Sequence, residues 1–384
     1  MTAQELRRAK ATRLAAVIGL TLALGYAVAL AGAWLGGDWL FDAQGQPIAN
    51  DFVNVWAAGD LALHGRAPDA YDWTLHKAAE ARALGHDFKN YYGWHYPPTF
   101  LFAAAVIALL PYTVAALACL AVTLCAYAAA VRAIIGNNAG VFVALGFPAV
   151  LWNAAAGQNG FLSAALVGGT LTLLNRRPAL AGICLGLLTY KPHFGLLFPV
   201  ALIVGSRWRV IAVAGLVTAA MAALSVIVFG RATWQAFFDW MPVTTRVVMG
   251  EGAADWSRLE SLFGLVRVLG GSETLAWSVQ AALALVLAGA IGWLWRGRAE
   301  FEIKAAALSC AALLATPYIY MYDQVMLAIP VAFLLRLALA RGFFISEILG
   351  LAAGALLLLL TPWGIGATAI VGLLIVQRHI ADHE

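Results

Sequence analysis

Long apolar runs separated by short polar stretches recur along nearly the whole chain. The first run extends from about Leu14 to Gly36, and the last covers residues 363–377. Runs of this kind are typical of transmembrane helices, and they lack the two-residue alternation of a membrane β-barrel. The pattern therefore predicts an all-α polytopic membrane protein, a single transmembrane domain over residues 1–384 with about 11 to 13 membrane helices.

Two long polar stretches interrupt this pattern, at residues 37–98 and 230–271. The first contains eight of the 20 acidic residues and four of the seven histidines, so it is the main candidate for a functional loop. It is expected to be an extracytoplasmic loop that carries short interfacial helices, and residues 67–84 could form one amphipathic helix of this kind. The apolar run at 99–111 would be roughly 20 Å long as a helix, so either it is a half-span or another short segment is re-entrant.

Composition and charge agree with a membrane protein. The chain is 62% hydrophobic and only 11% charged, which excludes a soluble domain of this size. Lys and Arg cluster in short loops, as expected for the cytoplasmic side, so the net charge of +4 does not indicate a nucleic-acid partner. The first run follows a basic segment and is interpreted as an uncleaved signal anchor with a cytoplasmic N-terminus, not as a cleaved signal peptide.

Asp51 is the most informative candidate residue, because it lies in the aromatic-rich stretch that follows the first membrane helix. A carboxylate near apolar and aromatic groups can have a raised pKa and act as a general base. The alternative is an acid that caps a helix or is solvated in a loop. Asp60, further along the same segment, is either structural or a substrate contact.

Lys191 is the most informative cation, because it lies between two apolar runs and away from the basic clusters. Arginines flank its hairpin on the inner side, so Lys191 is expected at the extracytoplasmic end. There it could bind a lipid phosphate as a point charge, or it could extend along the apolar surface to reach water. The neighbouring His193 belongs to the same candidate site.

Further polar and aromatic residues are expected on the same side of the membrane. His95, beside Tyr96 where the chain re-enters the membrane, is either a substrate contact or part of the interface packing. Asp323 is either a site residue or the N-cap of the helix that follows it. The remaining candidates are tyrosines, amides and second-loop arginines, namely Tyr318, Tyr322, Gln158, Asn159, Arg246 and Arg258. The histidines and cysteines lack metal-ligand spacing, so no metal or other cofactor is expected.

Several short motifs, in order along the chain, resemble those of the GT87 membrane glycosyltransferases. They are Asp51-Phe52 with Trp56-Ala57-Ala58-Gly59, Gly65, Tyr71-Asp72, Tyr96-Pro97-Pro98 with Leu110-Pro111, Gly157-Gln158-Asn159, Ala181-Gly182 with Lys191-Pro192, Thr316-Pro317-Tyr318 and Tyr322-Asp323. The resemblance extends over about residues 45 to 335. Where relatives often have Trp and His before the late helix, this chain has Tyr320, Tyr322 and Asp323.

The resemblance implies a GT-C-like helical fold and a multi-pass enzyme of the bacterial inner (plasma) membrane, with its active site on the periplasmic side. It also implies a polyprenyl-phosphate sugar as donor, mannose-like, and a lipid or glycan as acceptor. Carried over to this sequence, Asp51 would be the base that takes the acceptor's proton. Lys191 would hold the donor phosphate, and we expect Arg246 or Arg258 to assist it.

The resulting hypothesis is an inverting transfer of a sugar without a metal ion. The main alternative is a flippase or transporter of lipid-linked sugars. That alternative predicts charged groups within the membrane helices and an internal repeat, and the sequence contains neither pattern.

Overall fold

The computed structural model describes residues 3–252, 255–360 and 364–381. Over these residues the secondary structure is helical, with isolated β-bridges but no strand. The α-helices are α1 (Ala3–Gly36), α2 (Phe52–Leu63), α3 (Trp73–Leu84), α4 (Leu101–Ile107), α5 (Tyr112–Ile135), α6 (Ala139–Leu145), α7 (Ala149–Ala156), α8 (Gly160–Leu173), α9 (Pro178–Leu187), α10 (Phe198–Val204), α11 (Trp208–Phe229), α12 (Arg231–Thr244), α13 (Leu262–Val268), α14 (Glu273–Arg296), α15 (Phe301–Ala315), α16 (Ala328–Arg341), α17 (Ile345–Leu360) and α18 (Gly364–Ala381). The all-α membrane class is confirmed.

The number of helices that could cross a membrane is smaller than the sequence pattern suggested. Within the described ranges, six helices are long and apolar enough, or seven if the bent pair α6 and α7 counts as one span. The expected 11 to 13 are not reached, because several apolar runs fold as shorter helices. Residues 139–155, for example, break before Pro148 into two helices bent by 59°. A proline cannot donate the backbone hydrogen bond that a continuous helix requires.

The first polar stretch folds into short helices, in agreement with the expected loop that carries short helices. The single amphipathic helix expected over residues 67–84 is wrong, because the chain forms a 3-10 turn at Ala67–Tyr71 and then α3. Asp72 separates the two, and its side chain accepts hydrogen bonds from the backbone N–H groups of Thr74 and Leu75. This capping stabilises a new helix start and ends the preceding turn.

The second polar stretch is also largely helical. Its first half is α12, which continues without a break into a π-helical segment, Thr245–Gly250. Pro242 lies inside α12, and π-helical segments often occur at functional sites. The second half contains α13, whose first turn is capped by the Ser261 side chain.

Burial separates central helices from peripheral ones. In the segment Asp323–Arg341, 83% of the most apolar window is buried inside the protein, whereas the corresponding share is 11% in Glu5–Gly36 and in Trp208–Phe229. The segment that starts at Asp323 and continues into α16 is therefore the core of the bundle. The peripheral helices leave their apolar surfaces for lipid.

Candidate active site

Asp51 is held at the junction between the start of α2 and the end of α7. Its backbone N–H donates to the Ala156 carbonyl at 3.1 Å. Helix α7 ends at Gly157 with a φ of 67°, a conformation that glycine adopts without strain. The Asn50 side chain lies where a Gly157 side chain would be, since an added Cβ would come within 2.9 Å of Asn50 Oδ1. The glycine thus allows this close approach of the two segments.

A hydrogen-bonded network of side chains orients the Asp51 carboxylate. Gln158 Nε2 donates to Asp51 Oδ2 at 3.0 Å, and Gln158 Oε1 accepts from the Tyr96 hydroxyl at 3.3 Å. Asn159 Nδ2 in turn donates to the Tyr96 hydroxyl at 2.8 Å. Each donor meets an acceptor, so the orientation of the Gln158 amide is fixed with its N–H group towards the carboxylate.

The next glycine of the same motif brings the late part of the chain against this network. A Cβ on Gly160 would lie 2.5 Å from the Tyr322 carbonyl oxygen, a contact that no side chain would permit. The Gly160 N–H also donates to Asn153 Oδ1 at 2.9 Å. Residues 157–160 therefore join the segment of Asp51 on one side to that of Tyr322 and Asp323 on the other.

Lys191 and Asp323 form a buried ion pair. Lys191 Nζ lies 2.7 Å from Asp323 Oδ1, and the two side chains are only 7% and 2% exposed. Lys191 thus does not extend to the membrane surface. Asp323 is not the N-cap of the following helix, because it is the first residue of a 3-10 turn and its Oδ2 accepts from the Tyr320 N–H at 3.3 Å. The Tyr322 ring lies 5.6 Å from Lys191 Nζ.

A cavity of about 460 Å³ lies beside these groups. We call it the main cavity. Six of the residues selected from the sequence line it, namely His95, Tyr96, Gln158, Lys191, His193 and Tyr318. Asp51, Asn159 and Asp323 do not line it but contact residues that do, through the hydrogen bonds described above. The main cavity is thus the point at which most of the predicted site residues meet.

Burial and charge together set the pKa of Asp51. The carboxylate is half-buried, and burial raises its pKa above the ordinary value. The hydrogen bond from Gln158 and the positive charges of Arg258 and Lys191 lower it in part, and the Asp323 charge raises it. Asp51 is therefore more basic than an ordinary aspartate and lies within electrostatic reach of two cations.

His95 is neutral in this environment. Burial lowers its pKa to about 4, its Nδ1 lies 3.2 Å from Thr244 Oγ1, and its ring stacks parallel to that of Trp240. At neutral pH it is a hydrogen-bonding group without charge.

Three selected residues lie apart from the main cavity. Asp60 pairs with Arg82 at 3.1 Å and with His64 at 3.3 Å in the C-terminal part of α2. Arg246 is exposed and lies 3.5 Å from Glu251. Arg258 is exposed but close enough to Asp51 to influence its pKa. Of the three, only Arg258 shares the electrostatic environment of Asp51.

One wall of the main cavity was missed at the level of sequence. It is a stripe of residues on α12 and the π-helical segment, Phe237, Trp240, Met241, Thr244, Thr245, Val248 and Met249. Successive members are separated alternately by three positions and by one position, which is the pattern of a single helix face. This pattern could have identified the wall from the sequence. The stripe was hidden because the region was interpreted as a loop.

Comparison with known proteins agrees with the motifs. The family model of glycosyltransferase family 87 matches residues 94–317, more than half of the chain. The matched range is shorter than the motif resemblance over residues 45 to 335, and it includes Gln158 and Lys191 but not Asp51 or Asp323. Neither the curated proteins nor the solved structures contain a significant match. With these motifs, this helical membrane architecture and this family match, the chain belongs to glycosyltransferase family 87.

Proposed function

We propose that the protein transfers a sugar from a polyprenyl-phosphate donor to a hydroxyl group of a lipid or glycan acceptor, on the extracytoplasmic face of the membrane and with inversion at the sugar. The observation that carries this proposal is the position of Asp51, a half-buried carboxylate with a raised pKa that Gln158 orients beside a cavity containing Lys191. A base and a cation beside one cavity match the two charges that such a transfer moves.

The transfer is a single displacement. The acceptor hydroxyl gives its proton to the Asp51 carboxylate as its oxygen attacks the anomeric carbon. The bond from that carbon to the phosphate oxygen breaks, and its electron pair leaves with polyprenyl phosphate. Because attack and departure occur on opposite sides of the carbon, the product has the inverted configuration. A phosphate is a good leaving group, so the reaction needs charge stabilisation more than a strong acid.

Lys191 is suited to stabilise the leaving phosphate even though it is paired. A lysine ammonium group has three N–H donors, and Asp323 accepts from one of them. The pair fixes Nζ at the wall of the main cavity and leaves the other donors for phosphate oxygens. The leaving group gains one negative charge in the reaction, and the exposed Arg258 near Asp51 is the second cation available to it.

The proposal is tested by incubating the purified, lipid-reconstituted protein with mannosyl polyprenyl phosphate and a panel of glycolipid acceptors. The expected result is acceptor-dependent release of polyprenyl phosphate together with a new glycosidic product of inverted configuration, detected by mass spectrometry and NMR. Movement of the intact donor across the bilayer without release of polyprenyl phosphate would support the transporter alternative instead.

The pH dependence of transfer is expected to report the raised pKa of Asp51. The base must be deprotonated, so kcat/KM falls as the pH is lowered through that pKa, at a higher pH than an ordinary aspartate would give. Replacing Gln158 by Met removes a hydrogen bond that lowers this pKa. The acidic limb of the kcat/KM profile should therefore move to higher pH in Gln158→Met.

Arg258→Met provides the matched comparison, because it removes a positive charge that lowers the same pKa without altering the hydrogen bond. It should shift the limb in the same direction. Glu80, whose burial raises its pKa to about 8, also titrates near neutral pH. An unchanged limb in both variants would assign the titration to another group, such as Glu80, and not to Asp51.

A further inference from the structure

A second, smaller cavity of about 270 Å³ lies outside the main cavity. We call it the outer groove. It is formed between the 3-10 turn Ala67–Tyr71 and α12, and its lining residues are Pro68, Tyr71, Asp72, Ala236, Asp239 and Trp240. None of the proposed catalytic or binding residues lines this groove, although Tyr71 and Asp72 belong to one of the family motifs.

Trp240 connects the outer groove to the main cavity, because its side chain lines both. The Trp240 indole is held in place, with Nε1 donating to the Trp94 carbonyl at 3.1 Å and the ring stacked parallel to His95. The two cavities are therefore adjacent, with the Trp240 side chain as their common wall.

The groove combines aromatic rings with carboxylates. Tyr71 and Trp240 are its aromatic lining residues. Trp73, which directly follows Asp72, lies at the edge of the groove: it is 47% exposed, and its ring centroid lies 3.9 Å from that of Tyr91 and 5.7 Å from that of Trp240. Asp239 is exposed, and within the described part of the chain its carboxylate has no hydrogen bond or ion pair. Asp72 Oδ1 caps α3, which leaves its Oδ2 for another donor.

This combination fits a neutral polyhydroxylated ring better than a lipid headgroup. Carboxylates accept strong hydrogen bonds from hydroxyl groups, and aromatic faces pack against the apolar face of a sugar. The same carboxylates would repel the phosphate of a lipid headgroup. We propose that the outer groove binds a second sugar unit of the acceptor, next to the sugar whose hydroxyl is attacked, with Asp239 and Trp73 as its main contacts. This inference rests on the proposed glycosyl transfer.

The experiment compares octyl mannoside with octyl mannobioside as acceptors for the reconstituted full-length protein. The wild-type protein should prefer the disaccharide in kcat/KM. In Asp239→Asn the ratio of the two kcat/KM values should fall by about tenfold, because the sugar hydroxyl then donates to a neutral amide oxygen instead of a charged carboxylate. In Trp73→Ala the ratio should fall as well, because the second sugar loses the aromatic face against which it packs. Asp38→Asn changes an exposed acid that does not line the groove, so it should leave the ratio unchanged.

A binding measurement separates this inference from the proposed function. Saturation-transfer NMR on the Asp51→Asn protein with methyl mannobioside should show contact from both sugar rings, and Asp239→Asn added to it should remove contact from one ring. If the wild-type protein releases no polyprenyl phosphate with any acceptor but both rings are contacted, the proposed function fails and the groove assignment stands. If only one ring is ever contacted, the groove is not a sugar site. Aromatic rings with carboxylates also suit a small organic cation, so displacement of the disaccharide by tetramethylammonium would identify a cation site instead.

Discussion

Asp51→Asn is expected to lower kcat for sugar transfer by about a thousandfold, within the range measured for the loss of a general base, while the protein stays folded. An asparagine amide has nearly the shape of the carboxylate and can still accept the hydrogen bond from Gln158 Nε2. It cannot take a proton from the acceptor hydroxyl. Donor binding, measured separately by displacement of a labelled polyprenyl phosphate, should change little, because the loss is in the chemical step.

Asp60→Asn is the matched control on the same helix. The Asp60 carboxylate pairs with Arg82 and His64 and does not line the main cavity, and pairs with an exposed partner contribute about 1 kcal/mol or less. We expect its kcat to stay within about twofold of the wild-type value. Comparable losses in the two variants would indicate a general effect on the first polar stretch. A fully active and folded Asp51→Asn protein would contradict the assignment of the base.

The grouping of the site could be predicted because topology fixes which side of a membrane each polar segment occupies. Asp51, Lys191 and Asp323 are far apart in sequence, but each lies at the same expected end of its apolar run. The amides and glycines of residues 157–160 are compatible with either a close approach of backbone segments or a kink. In the structure the segments do approach closely, because the missing side chain of Gly157 leaves room for Asn50 and that of Gly160 leaves room for the Tyr322 carbonyl.

Two features could not be read from the sequence. Hydropathy does not distinguish a helix that crosses the membrane from a shorter apolar helix packed inside the protein, which is why the helix count was too high. The pairing of Lys191 with Asp323 depends on a contact between residues more than a hundred positions apart. Neither the spacing nor the composition of the two segments specifies that distance, so the sequence did not indicate that Asp323 neutralises Lys191.

Removing either member of this pair is expected to lower the stability of the protein by about 3 to 5 kcal/mol, because the remaining charge is left buried and unpaired. Lys191→Met isolates the Asp323 carboxylate, and Asp323→Asn isolates the Lys191 ammonium group. The double variant contains neither charge, so it should recover most of the lost stability. Denaturant or thermal unfolding of the reconstituted proteins measures all three changes.

Transfer activity should follow a different pattern from stability, and this difference identifies what Lys191 does. Asp323→Asn keeps the ammonium group at the main cavity, so we expect part of the activity to remain at temperatures where the variant is folded. Lys191→Met and the double variant lose the cation that faces the leaving phosphate, so both should be nearly inactive even though the double variant is stable. An active double variant would show that the pair only holds the core together and that the leaving phosphate is stabilised elsewhere, with Arg258 the next cation to test. A stable but inactive double variant would separate two roles of Lys191. Its charge is neutralised by Asp323 in the folded protein, and the same ammonium group is required to stabilise the leaving phosphate.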